Sequence, residues 1–407
     1  MAASTSLAGG NGTAVVGNFN SAAVLNAIVN NATGNTALTA VDTKDFISVA
    51  NTAKHIPVDP LLSALTTTLS KTIFSIRPYS RKFKGLFHDN VKFGNHTRKI
   101  NVADSDWQTD ERYDLTDGSS VDMYKVKKPD ILQMNYYGQN IVERQVTIFR
   151  DQLNVALSNE EEFQRFITMI MTNASDQIEQ AHESCARMTV ANFMAAKVAG
   201  YKDSTVINLL TEYNTLNGTT LTAADVYKPA NFVPFVKWAF ARIKSISDMM
   251  TERTQIFHEN VTGKEISRHT PYSKQKMYLN SQFMNEVSMI VLGDVFHDNR
   301  YKLIDYETVA YWQNPNNPTG INVSSMSYMA EVDGSTHAGD TSANITGVIG
   351  TLFDEEAIGV STFNEWSAPT PFNAKGGYSN IFWHFNDRYY NDFTENGVVF
   401  VIQDAGE

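Results

Sequence analysis

The chain has 407 residues, 42% of them hydrophobic and 19% charged, and a formal net charge of -11. That length and apolar content exclude a disordered or fibrous protein and leave ample chain for a buried core. The acidic balance argues against a dedicated nucleic-acid binder. No uncharged apolar run approaches the ~18 residues of a membrane span, and the single cysteine, Cys185, excludes an intrachain disulfide framework.

From Met1 to Val41 there is no Lys, Arg, Asp or Glu. Small apolar groups such as Val24-Leu25 and Ile28-Val29 interrupt a background of Ala, Asn, Ser, Thr and Gly, too little to fold alone. The segment reads as an arm that orders against a neighbour, or as a frayed tail. It lacks the basic start and compact apolar run of a signal peptide, so a reducing cytoplasm is the expected place of assembly.

Pro57, Asp59 and Pro60 break the chain, and Pro78 opens a stretch of extended character reaching Phe149. Asp117-Gly118 predicts a hairpin turn, and Val142, Val146 and Ile148 share one face of a strand at a period of two. Arg77 to Lys128 is a charge-dense ribbon of mixed sign. Lys92, Arg98 and Lys99 offer cations for phosphate, but the interspersed aspartates fit ion pairing between subunits better.

Ser158-Asn159-Glu160-Glu161 is a capping box, the start of the strongest predicted element. Phe163, Ile167, Ile170, Ala174, Ile178, Ala181, Cys185 and Met188 recur at helical spacing, with Gly200 as the stop. Some 40 residues make a helix of about 60 Å. A second helix is predicted over 231–252, with Phe235, Trp238, Ala239, Arg242, Ile246 and Met249 on one stripe. Residues 273–293 read as a strand then a helix, and 320–350 as a polar loop. Tyr378 to Phe385 alternates, and Val398 to Ile402 suits a buried strand. There is no internal repeat.

Catalytic motifs are sought and not found. His182-Glu183 has Ala186 where a zinc-protease helix needs histidine, and Gly263-Lys264 lacks the flanks of a phosphate loop. Gly359-Val360-Ser361 meets Phe363 where a nucleophile elbow needs glycine. Asp354, Glu355 and Glu356, with Asp387, Asp392 and Glu395, are places from which a glycosidase would draw its two acids; the plainer reading is solvated turns. Cys185 falls on the helix stripe and reads as a small core side chain. No cofactor or metal is expected.

The C-terminal blocks are the most specific part of the sequence. Phe353-Asp354-Glu355-Glu356-Ala357-Ile358-Gly359 leads to Phe363-Asn364-Glu365-Trp366 and Thr370-Pro371-Phe372-Asn373-Ala374-Lys375-Gly376-Gly377-Tyr378. Phe382-Trp383-His384-Phe385 and Tyr389-Tyr390-Asn391-Asp392-Phe393-Thr394-Glu395-Asn396-Gly397 follow. These blocks, roughly the last 55 residues, resemble major capsid proteins of tailed double-stranded DNA bacteriophages. The order of uncharged arm, charged hairpin, long helix and mixed region resembles their Hong Kong 97-type fold.

That resemblance implies an α+β fold and a structural role without catalysis. It implies an N-terminal arm at 1–76, an extended loop (E-loop) at 77–140, and a P-domain strand and spine helix at 141–202. An A-domain would occupy 203–390, and 391–407 would return a strand to the P-domain. Copies would assemble as hexamers and pentamers of an icosahedral virion shell, in the host bacterial cytoplasm. Partners would be the portal, a separate scaffolding protein and decoration proteins, around packaged double-stranded DNA held without sequence-specific contacts, with no membrane. Intersubunit contact candidates are Lys92, Arg98, Lys99, Trp107, Asp110, Arg112, Lys125, Lys127, Tyr136 and Tyr137. Trp312, Trp366 and Trp383 are further aromatic anchors, with the core expected first for Trp366 and Trp383. A carbohydrate-active hydrolase and a tail or adhesin protein are the competing readings.

Overall fold

The computed structural model describes residues 21–33, 49–50, 82–87, 97–105, 108–124, 126–157, 160–199, 204–260, 263–291, 306–323, 330–332, 335–337 and 343–404. Lys92, Trp107, Lys125, the Ser158-Asn159 start of the capping box, Gly200 and most of the expected arm lie outside them. Within the arm, Ser21–Thr33 is a helix (α1), and Leu25, Ile28 and Val29 are buried. The chain divides into two compact units.

The larger unit comprises residues 81–142, 180–365 and 385–407. Its centre is a five-stranded sheet made of β4 (Val206–Asn208), β5 (Gln275–Asn280), β6 (Tyr306–Val309), β11 (Val348–Asp354) and β14 (Gly397–Val401), in the order β4-β14-β11-β5-β6. β11 pairs antiparallel with β14 and β5, while β4 and β6 run parallel to their neighbours. Every residue of β11 and β14 is buried, because both faces of the sheet are covered.

One face packs on the second half of α3 (Glu160–Ala199). Val399, Val401, Phe353 and Tyr278 meet Cys185, Val190, Phe193 and Met194 there. Over this half the helix is buried nearly all round, as its run of alanines permits, although Met188, expected on the stripe, is exposed. The other face carries Val398, Phe400, Leu352 and Leu279. It packs on α4 (Leu209–Asn217), α5 (Ala223–Val226), α6 (Pro229–Met250) and α7 (Ser281–Val291). The alternation slips once, at the bulge between Val348 and Gly350. The result is three layers, helix, sheet and helices.

Pro229 sits at the first turn of α6, where its missing N–H costs nothing. Phe232, Phe235, Ala239, Ile243 and Ile246 face the sheet, while Trp238, Arg242 and Met249 lie at the boundary. Arg242 makes a two-pronged ion pair with Glu212 of α4, at 2.7 and 3.0 Å.

The smaller unit comprises residues 1–80, 143–179 and 366–384. It holds most of β3 (Gly138–Phe149), α2 (Arg150–Ala156) and the first half of α3, where Phe163, Ile167, Ala174 and Ile178 form a one-sided buried stripe. β12 (Ile358–Pro369) and β13 (Tyr378–Asn391) join β3 in a sheet ordered β12-β13-β3. Trp383 and Ile381 point into the core. Trp366, expected there, is instead 50% exposed and stacks on His384 at 4.0 Å, because it occupies the opposite face of the sheet.

Residues 366–384 group with the first half of α3. β14 is an inner strand of the five-stranded sheet, one face of which packs on α3. The polar stretch 320–350 is not a loop throughout: it holds β7 (Ile321–Val323), β8 (Ala330–Val332), β9 (Ser335–His337) and β10 (Ala343–Ile345). In β7 and β10 the apolar residues alternate inward, and three-residue strands are too short to leave a period in the sequence. Trp312 is buried and its indole N–H donates to Val348 O at 2.8 Å, so it serves the core rather than a contact surface.

Phe400→Ala opens a cavity between the sheet and α6. It is expected to cost about 3–5 kcal/mol, read as a lowered urea midpoint by tryptophan fluorescence; a midpoint within error of the parent would contradict the three-layer core.

Candidate functional site

β1 (Thr97–Val102) and β2 (Ile131–Tyr136) form an antiparallel pair that carries residues 103–130 away from its end. Strand alternation sorts β1 by face: Arg98, Ile100 and Val102 are exposed, while Thr97, Lys99 and Asn101 turn inward. β2 pairs in turn with β8, and β8 with β9, so β1 is an edge among the described strands. On the inner side Leu132, Met134 and Tyr136 form a small apolar cluster with Ile266. β3 starts at Gly138, where a Cβ would stand 2.4 Å from the backbone oxygen of Tyr389; only glycine allows that approach.

Lys99 enters a buried charge centre. Its Nζ lies 2.7 Å from Asp392 Oδ2 and 3.9 Å from Glu356 Oε2, and donates to Glu395 Oε1. Arg268 Nη1 donates to the same Glu395 oxygen at 2.5 Å, and its Nη2 to Thr394 Oγ1 at 3.0 Å. Asp392 accepts from the Thr394 amide and hydroxyl at 2.9 and 2.6 Å. The turn holding these carboxylates is fixed from below by Lys197 of α3, which donates to the carbonyls of Phe393 and Glu395 at 3.2 and 3.3 Å.

Burial works against the Lys99 ammonium, but Asp392 and Glu395 outweigh it and hold its pKa above the ordinary lysine value. Burial alone would raise Asp392; Lys99 and Arg268 overcome it and hold the carboxyl below its usual range. Burial pushes Glu395 up to about 7, opposed by Lys99 and Arg268 and assisted by Asp392. Burial lowers Lys197 to about 8. The phenol of Tyr136 is raised by burial, with Asp392 adding to the shift.

Beyond the strand pair the character changes. Every described residue from 108 to 131 is exposed. Asp117-Gly118 forms a tight turn, with Gly118 at a φ of 86° and Ser119 closing it on Thr116. No strand flanks that turn among the described residues, so the expected hairpin is confined to β1 and β2. The segment nonetheless carries large apolar side chains. Tyr113, Met123, Tyr124 and Val126 are 78 to 81% exposed.

The contact candidates therefore separate. Arg98, Asp110, Arg112 and Lys127 are exposed, with Asp110 and Arg112 paired to each other at 2.6 Å. Tyr137 is half-buried. Lys99 and Tyr136 are used inside their own subunit, Tyr136 packing on Tyr390 with ring centroids 5.4 Å apart. Of the acidic clusters, read most plainly as solvated turns, Glu355 and Glu356 do lie in a partly solvated turn, whereas Asp354, Asp387, Asp392 and Glu395 are buried. Asp354 accepts from Thr270 at 2.7 Å, and Asp387 lies 2.6 Å from His182 Nδ1. Glu356, Asp392 and Glu395 meet on Lys99. Asp392 and Glu395 are enclosed and spent on cations, while Glu356 is 60% exposed at the edge of the group, which is poor ground for a paired-acid hydrolase. Cys185 is buried, and burial pushes its thiol up to about 12, so it is inert. Among the described residues no group of three His, Cys, Asp or Glu side chains is placed to hold a metal.

A family model for Phi29-like phage major capsid proteins matches residues 25–401. The chain belongs to that family. Its role is structural, as a component of a phage capsid. Among solved structures, a chain from the capsid of Staphylococcus phage Andhra is similar with a TM-score of 0.53 and 10% identity, over 80% of this chain and 85% of that one. A chain from the structure of head fiber and inner core protein gp22 of native bacteriophage P68 also reaches 0.53, at 8% identity, over 81% and 86%. At such identities the likeness is one of fold, and it agrees with the α+β Hong Kong 97-type expectation. No curated protein matches by sequence.

In this capsid protein the raised pKa of Glu395 ties stability to pH. A carboxyl at about 7 in the fold, against an ordinary 4.5, contributes stability fully present below about 4.5 and lost as pH rises through 7. The melting temperature of the parent should therefore fall relative to Glu395→Gln between pH 5 and 8, by an amount on the order of a few kcal/mol in free energy. A constant difference across that range would contradict the assignment.

Proposed function

We propose that copies of this chain close into an icosahedral phage head around double-stranded DNA, in hexamers and pentamers, with residues 103–130 of each copy lying on an adjacent one. The observation that carries this reading is the exposed loop. Tyr113, Met123, Tyr124 and Val126 stand in water at about 80% exposure, on a segment with no strand among its described residues. Aromatic and methionine side chains of that kind are what buried interface centres are made of. Extended segments also give much contact area per residue and order on assembly.

In this reading residues 1–76 are an arm and 77–140 the E-loop with its base. The P-domain is built on the long helix, the A-domain lies mainly within 203–390, and 391–407 carry the closing strand. The exposed candidates Arg98, Asp110, Arg112 and Lys127, with Tyr137, Lys92, Trp107 and Lys125, supply intersubunit contacts. Asp110, Glu111, Asp114, Asp117 and Asp122 face one cation, Arg112, within 108–124, and Lys125, Lys127 and Lys128 follow. Such segregated charge favours a fixed register on the neighbour and makes contact sensitive to salt. The head assembles in the host cytoplasm with a portal, a separate scaffolding protein and decoration proteins. It has no enzymatic activity, and its acidic wall confines the genome without gripping particular sequences.

Two experiments test this. Replacing residues 106–128 by Gly-Ser-Gly keeps both base strands, whose ends meet through the Ala103 amide and Asp130 carbonyl at 2.8 Å. The variant should retain the parent circular dichroism and yield no shells in negative-stain micrographs; intact shells would refute the loop contact. Removing residues 1–20, which precede α1 and its buried Leu25, Ile28 and Val29, should lower the salt and temperature at which shells dissociate in light scattering while the subunit stays folded. Unchanged shell stability would remove the arm from assembly.

A further inference from the structure

We infer that Lys99 is the positioning residue of the extended loop: seated between Asp392 and Glu395, it fixes the direction in which β1 and β2 carry residues 103–130 away from their subunit. The inference rests on the reading of 103–130 as a shell contact, and it assigns to the base of that loop a role of its own.

Among the described residues β1 is an edge strand, bonded along one side only, to β2. Its apolar side chains, Ile100 and Val102, are both 58% exposed and tie it to nothing inside. The apolar cluster beneath the pair draws on β2 alone among the two strands, through Leu132, Met134 and Tyr136. The inward ties of β1 are therefore polar. Asn101 Oδ1 accepts from Arg268 at 3.4 Å, a long contact. Lys99 makes the short ones.

Other ties hold the loop side of the base. The Asp104 amide donates to Glu265 O at 2.8 Å, Asp104 accepts from the Ser267 amide at 2.8 Å and pairs with Arg253, whose side chain is 64% exposed, and Lys264 donates to the Ile131 carbonyl of β2 and lies 3.3 Å from the largely exposed Asp130. Exposed pairs weaken with salt and hold geometry loosely. Lys99 differs in its partners: Asp130 and Arg253 are 64% exposed, whereas Asp392 and Glu395 are 0 and 7% exposed, and Lys99 is the inward ion pair of β1 itself.

The far side of the lock is rigid. The Asp392 amide donates to Ala357 O at 2.7 Å, the Gly397 amide donates to Phe257 O at 2.9 Å, and Lys197 fills the turn from below. One residue past Asn396 the chain is already in β14, an inner strand of the central sheet. A rotation of the loop base must therefore move Lys99 out of its carboxylates or strain the core of the unit. Truncating one member of such a buried set strands the opposite charges, so the geometry is held far more firmly than a surface pair would hold it.

The test is hydrogen exchange on the full-length, unassembled protein, followed by electron microscopy after assembly. Lys99→Met should lower protection of residues 97–102 and 131–136 by tenfold or more, with protection of 275–280 and 397–401 unchanged. The same protein should give few or malformed shells, although every residue of 108–131 is intact. Lys99→Arg, which keeps the cation, should restore both readouts towards the parent. Parent-like protection of 97–102 in Lys99→Met would overturn the inference, as would loss spread evenly over the central sheet, the mark of a merely structural lysine. Should Lys99→Met fail to fold by circular dichroism, Glu395→Gln compared with the parent at pH 8, where Glu395 is ionised, serves instead: a threefold or larger loss confined to the two base strands supports the lock, and parent-like exchange there overturns it. Normal shells built from a Lys99→Met protein with deprotected base strands would refute the shell-contact reading of the loop and leave the lock standing.

Discussion

Two cations and two carboxylates closed away from water at one turn are the constraint on which this subunit depends. Asp392 and Glu395 are desolvated by their surroundings and tolerable only because Lys99 and Arg268 reach them. The cations come from distant parts of the chain, one from the base of an extended loop and one from the segment following α6. The turn therefore draws three regions to one point, and Lys197 of the long helix makes it a fourth. Charge here provides geometry more than net stability, since a well-packed apolar cluster of the same volume would hold as tightly but in a less specific arrangement.

The three-layer core gives this point something to be fixed to. β14 is buried on both faces, with Val399 and Val401 against α3 and Val398 and Phe400 against α6. A strand packed on both sides does not shift in response to load, and the charge centre sits at its entrance. From there the loop base projects, and past it the apolar side chains that the subunit leaves in water. A fold that buries Phe400 completely and exposes Met123 and Tyr124 almost completely divides labour along its sequence. One part is finished within the subunit, and the other, in the proposed assembly, by a second copy.

Much of this was legible in the sequence, for identifiable reasons. The long helix declares itself because a 3.6-residue period repeated from Phe163 to Cys185 has no competing explanation. The buried strand at 398–402 and the helix at 231–252 follow from the same kind of pattern. The C-terminal blocks and the order of parts pointed to the capsid family directly. What escaped was non-local or too short. Lys99 reads like any cation in a mixed ribbon; only the alternation of β1 hints that it faces away from Arg98, and nothing in sequence says that a turn some 290 residues later awaits it. The same distance hid the true setting of Asp392 and Glu395, which looked like surface acids. Trp366 and Trp383 belong to neighbouring blocks of similar composition. Which of them is core depends on the face of a sheet whose register the sequence does not reveal.

The central claim is that the extended loop is completed by another copy of the chain. Hydroxyl-radical footprinting at Met123 and Tyr124, two readily oxidised and highly exposed side chains, tests it most directly when free subunits are compared with assembled shells. The account predicts that oxidation at both falls severalfold on assembly, while Met188 and Trp366, which it assigns no loop contact, serve as internal references. Equal oxidation of Met123 and Tyr124 in free subunits and in closed shells would contradict it.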